Sequence, residues 1–69
     1  MVGRLISERD KMDMIEIQLQ DTTGNWRTYS ITQNISAMIV MAMRSMKDQF
    51  PDKRVRAIDG NGGLIDLLG

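Results

Sequence analysis

Only one stretch of this chain places its apolar residues at helical spacing, the stretch from Ile35 to Phe50. Ile35, Met38, Ile39, Ala42, Met43, Met46 and Phe50 make one stripe of an α-helix, the pattern of a helix laid over a core. Ala37, Val40 and Met41 point the other way, so the first half of this helix is apolar on both sides. Arg44, Lys47 and Asp48 make the last two turns amphipathic in the ordinary manner. Pro51 forbids continuation and holds its predecessor out of helical geometry, so the helix ends near Gln49 or Phe50. Thr32 or Asn34 is expected to cap its start, because either side chain can accept from the unpaired amides of the first turn.

Both flanks of the helix read as hairpins. Ile15, Ile17 and Leu19 alternate with Glu16, Gln18 and Gln20, as in a half-buried strand, and Trp26 to Ile31 resumes with β-favouring residues. Between them lies turn chemistry, and a three-residue loop Thr22-Thr23-Gly24 with a left-handed glycine is the expected link. That register sets Ile17 opposite Tyr29, Ile15 opposite Ile31 and Gln20 opposite Trp26. After the helix, Lys53 to Asp59 and Leu64 to Leu68 form a second pair around Gly60-Asn61-Gly62. Gathering Val55, Ala57, Ile65 and Leu67 on one face favours the three-residue loop there, and it places Arg56 opposite Asp66 as an ion pair.

The expected fold is therefore α+β with the order ββαββ: two glycine-turn hairpins in one antiparallel sheet, and a single helix packed on one face. Residues 12–69 are read as one domain and residues 1–11 as a mobile N-terminal tail. The expected core is Ile15, Ile17, Leu19, Tyr29, Ile31, Ile35, Met38, Ile39, Ala42, Met46, Phe50, Val55, Ala57, Ile65 and Leu67. Met43 is read as core filler.

Composition narrows the chemistry. A 69-residue chain buries only about 60% of the surface it exposes when unfolded, so a monomer is marginal. Small folds recover stability through disulfides, a structural metal or association. The chain has no cysteine and no histidine, which removes disulfides, thiolate sites, the commonest zinc ligand and the usual general base. Nine basic residues balance nine acidic ones, so no long-range field favours nucleic acid or an anionic membrane. No apolar run approaches the roughly 20 residues of a membrane span. The opening MVGRLISERDK is broken by charge and lacks a signal-peptide core, so a cytoplasmic location is expected.

Asp59-Gly60-Asn61-Gly62 looks like the middle of a calcium loop, but Ala57 and Leu68 stand where the outer ligands would be, and a plain turn explains it. Asp66 between two apolar residues is explained by Arg56. The serines have no histidine to activate them. No catalytic, cofactor-binding or metal-binding residue is assigned, and the chain is read as a non-enzymatic interaction module.

The unexplained residues are apolar ones. Ala37, Val40 and Met41, with Arg44 beside them, are the expected interface, suited to a homodimer or a small protein partner. Ile58, Leu64 and Leu68, expected on the sheet face away from the helix, are the alternative. A weaker reading uses Trp26, Arg27, Arg54 and Arg56 on that same face to hold nucleic acid.

Overall fold

The computed structural model of the chain describes residues 13–69, so the expected N-terminal tail lies outside the described residues. Among these residues four strands and one helix follow in the order β1 (Met14–Gln20), β2 (Trp26–Gln33), α1 (Ser36–Gln49), β3 (Val55–Ile58) and β4 (Leu64–Leu68). The strands form one antiparallel sheet in the spatial order β2-β1-β3-β4. The α+β architecture read from the sequence is the one observed.

Both turns have the expected length. Asp21 and Asn25 pair across one loop and Asp59 and Gly63 across the other, by amide-to-carbonyl bonds of 2.8 and 2.9 Å. Gly24 and Gly62 sit at φ 90° and 82°, the left-handed region that a side chain disfavours and glycine enters freely. Each loop is opened by an aspartate. Asp21 Oδ1 accepts the Thr23 and Asn25 amides at 2.9 and 3.0 Å. Asp59 Oδ1 accepts those of Asn61 and Gly63 at 2.9 and 2.8 Å.

The core is narrower than the alternation suggests. Ile15, Ile17, Leu19, Val55 and Ala57 from the two central strands are buried against Ile39, Met43 and Met46 of α1, with Ala42, Phe50 and Leu68 at the margin. Full burial of each aliphatic side chain stabilises the fold by roughly 1.5–3 kcal/mol, so most of the stability comes from β1, β3 and one face of α1. No buried side-chain nitrogen or oxygen among the described residues lacks a partner.

Several expected core residues lie outside it: Tyr29, Ile31, Ile35, Met38, Ile65 and Leu67 are all exposed. For the strand residues the reason is a pair of bulges. The β1–β2 register holds as expected from Gln20↔Trp26 to Gln18↔Thr28, then slips by one so that Ile17 meets Ser30 and Ile15 meets Thr32. Tyr29 is the extra residue. A one-residue slip exchanges the faces of everything after it, and Ile31 turns outward opposite Glu16. Tyr29 stays within reach of α1, its ring tilted on Phe50 at 5.6 Å. In the second hairpin the slip lies between Asp66 and Leu64, so Ile65 is the extra residue. Asp66 then falls opposite Ala57 and Leu67 opposite Arg56, which breaks the expected Arg56–Asp66 pairing.

The helix start also differs. Ile35 is the N-cap, and no side chain caps it. Thr32 is held in β2 opposite Ile15, and the Asn34 amide donates to the Asp13 carbonyl at 2.9 Å. The segment entering α1 is thus tied to the start of β1 by backbone. At the other end the Lys47 Nζ donates to the Lys53 carbonyl at 2.7 Å, fixing the loop after Pro51 beneath the last turn.

Candidate interaction surfaces

Successive helical residues are rotated by roughly 100°, which puts Ala37, Met41, Arg44 and Asp48 on the side of α1 opposite buried Ile39, Met43 and Met46. Ala37, Val40, Met41 and Arg44 are all exposed, Met41 by 71%. Ile35 and Met38 are also exposed. Four of the ten exposed large hydrophobic residues among those described, Ile35, Met38, Val40 and Met41, therefore fall within two turns of one helix.

The second surface is the sheet face away from α1. Along β1 it carries Glu16, Gln18 and Gln20, whose neighbours across the pairing are Ile31, Thr28 and Trp26 on β2 and Ile58 and Arg56 on β3. Leu64 and Leu67 extend it onto β4. Of the three residues expected here, Ile58 and Leu64 face outward but Leu68 does not. Leu68 pairs with Val55 and packs on the core, because the Ile65 bulge restores it to the helix side. Leu67 takes the outward place.

A hydrogen-bonded chain crosses the middle of this face. Arg56 Nε donates to Gln18 Oε1 at 2.7 Å, Gln18 Nε2 to Thr28 Oγ1 at 3.1 Å, and the Thr28 hydroxyl to Glu16 Oε1 at 2.6 Å. The Arg56 guanidinium carbon lies 4.2 Å from the centre of the Trp26 ring, a cation–π stack. Gln18 is only 9% exposed, flanked by Thr28 on one neighbouring strand and Arg56 on the other. The sequence contains the signal for this chain, since Gln18, Thr28 and Arg56 are polar residues at outward positions of neighbouring strands. Only the spatial order β2-β1-β3 makes them neighbours.

The four residues considered for nucleic acid do not share a surface. Trp26 and Arg56 meet, but Arg27 lies opposite Leu19 on the helix side, since neighbours in a strand alternate faces. Its Nε donates to Asp21 Oδ2 at 3.0 Å. Arg54 is exposed, and its carbonyl accepts the Gln20 amide. Asp21, hydrogen-bonded first by the Thr23 hydroxyl and then by Arg27, is held well below the usual carboxylate range.

Among the described residues no three Asp, Glu, Cys or His side chains are grouped to hold a metal ion, and no helix is long and apolar enough to cross a membrane. A shallow cleft of about 230 Å³ is lined by Asp13, Gln33, Asn34 and Ile35, one carboxylate among amides and an isoleucine. Comparison of the chain with protein-family models, with curated proteins and with solved structures finds no match.

Proposed function

We propose that this chain is a non-enzymatic association module that pairs with a second copy through the back of α1. The observation that carries this reading is the exposure of Val40 and Met41, beside Ala37, on a helix whose other side already fills the core. An apolar helix back on a small domain marks an interaction site more often than it marks a solvated surface. The patch suits a copy of itself. A twofold axis makes an interface self-complementary, and crossing two α1 helices antiparallel near Ile39 sets each flexible Met41 over the partner's Ala37, large on small. Zero net charge imposes no overall repulsion between copies, and Arg44 at the rim can cover apolar surface with its alkyl stem while its head stays in water.

A nucleic-acid role is the weaker reading. Arg56 is stacked on the one tryptophan and bonded to Gln18, and Arg27 is bonded to Asp21 on the other side of the sheet. A free basic platform with an open aromatic would favour it, and these side chains are already engaged.

Sedimentation of the wild type beside Met41→Glu tests the proposal. The expected result is a wild-type dimer at micromolar concentration and a folded monomer for Met41→Glu, with the apparent dissociation constant weakened at least tenfold. A wild type that stays monomeric at high micromolar concentration overturns it. So does a dimer that Met41→Glu leaves intact, which moves the contact to Ile58, Leu64 and Leu67.

A further inference from the structure

We infer that β4 is a self-pairing edge held shut by Asp66, and that removing this one carboxylate lets β4 add antiparallel to β4 of a second copy. The backbone phase shows what the carboxylate does. The Gln20 amide donates to the Arg54 carbonyl, so even-numbered residues of β3 direct their backbone groups toward β1 and odd-numbered ones toward β4. Val55 and Ala57 pair with Leu68 and Asp66, which therefore point inward. The Leu67 amide then points off the open edge. It does not stay open, because Asp66 Oδ1 accepts it at 2.8 Å.

The occupant follows from the strand itself. Laid antiparallel on its own copy with Asp66 at the centre, β4 sets Ile65 against the exposed Leu67 on each side of it. Only the centre conflicts, where Asp66 faces Asp66, and like charges directly opposite destabilise a pair. Edge strands ordinarily resist such addition by carrying lysine, proline or a bulge. β4 has the bulge at Ile65 but no lysine or proline, and Leu64, Ile65 and Leu67 are exposed. Asp66 is its only charge. The other edge, β2, needs no such guard, since Thr28, Ser30, Thr32 and Gln33 make it polar along most of its length.

This inference stands apart from the α1 interface and is best tested with that interface removed. In a Met41→Glu background, Asp66→Val is expected to associate at a concentration at least tenfold lower than the parent, measured by sedimentation. Adding Leu67→Pro should abolish the gain. Proline removes the edge-facing amide, which β3 does not use, so the triple variant keeps its fold by circular dichroism. If Asp66→Val does not fold, Asp66→Thr takes its place with the same expectation. An Asp66 variant that remains as monomeric as its parent overturns the inference, and so does association that persists with Leu67→Pro.

Discussion

The two hairpins turn in the same way and finish differently. In each, an aspartate opens a three-residue loop, accepts two backbone amides on Oδ1, and is followed by a glycine in the left-handed region. Gln18 and Arg56, hydrogen-bonded at the centre of the sheet, are 38 residues apart, and Asp21 and Asp59 have the same separation. The sheet thus has an approximate twofold relation passing between Gln18 and Arg56, exchanging β1 with β3 and β2 with β4. One helix cannot obey it. α1 packs chiefly on β1, β2 and β3, and of β4 only Leu68 reaches the core among the described residues. Similar turns have therefore produced one edge that is polar and partly sheltered, and one that is apolar and open. The position of a strand under the helix, rather than its turn, decides what its side chains contribute.

The largest test of that difference sets a central strand against β4. Ile17 is fully buried, while Leu64 is 60% exposed. Ile17→Ala should cost about 2–5 kcal/mol, the usual range for emptying a packed aliphatic site. A domain of this size has only roughly 3–10 kcal/mol in total at the usual stability per residue, so the variant loses a large share of it. Leu64→Ala should stay within about 0.5 kcal/mol of the wild type. Urea midpoints compare them directly. Equal losses would mean that the outer face of β4 is covered, against its exposure in this structure.

The twofold relation also shows which features could be read from the chain and which could not. Turn length, glycine placement, strand order along the sequence and the helix end at Pro51 are written in short-range chemistry, and all were legible. The buried sets of β1 and β3 were legible too, since strict alternation in a strand covered by a helix leaves little choice. What failed was β2 beyond Thr28, and β4. A single extra residue at Tyr29 or Ile65 reverses the faces that follow, and no residue type marks a bulge of this kind. Ile31, Ile65 and Leu67 look like core residues and are exposed for that reason. The back of α1 was visible as an excess of apolar residues. The chain from Arg56 through Gln18 and Thr28 to Glu16 needed the β2-β1-β3 order before its members could be seen as neighbours.

A smaller effect separates the two turns themselves. Gly24→Ala and Gly62→Ala should cost about the same, roughly 1–2 kcal/mol each, because both force a side chain into the left-handed region. The residue after each glycine differs. Asn25 carries a side chain there without conflict, but a Cβ on Gly63 would lie 2.8 Å from Asp59 Oδ2. Arg27 explains the contrast, since its Nε draws Asp21 Oδ2 aside and the corresponding position in the second hairpin is Ile65. Gly63→Ala should therefore cost up to about 2 kcal/mol, like the loss of a capping side chain. Thermal melting of the three variants checks the order. A harmless Gly63→Ala would show that Asp59 can rotate away without loss, and that the two aspartates are not equivalent anchors.

The smallest effect is confined to acid and to the first hairpin. The Asp21 carboxyl titrates well below its unfolded value of 3.8, chiefly through the Thr23 hydroxyl at 2.6 Å and then through Arg27. A carboxylate depressed in the folded state adds stability that is complete above the unfolded value and disappears as pH falls toward the folded one. The wild type should accordingly lose melting temperature from about pH 4 downward, in part because unfolding lets Asp21 take up a proton. Asp21→Asn keeps an oxygen for the Thr23 and Asn25 amides but cannot titrate. Its melting temperature should be lower than the wild type's at pH 7 and should fall less steeply below about pH 4, the two curves converging in acid. The Arg27 side chain is 71% exposed, so added salt should shrink the part due to Arg27 and leave the part due to Thr23. Parallel curves for the two proteins would remove Asp21 as a source of acid sensitivity and leave the extra bonds of the first turn without a measurable consequence.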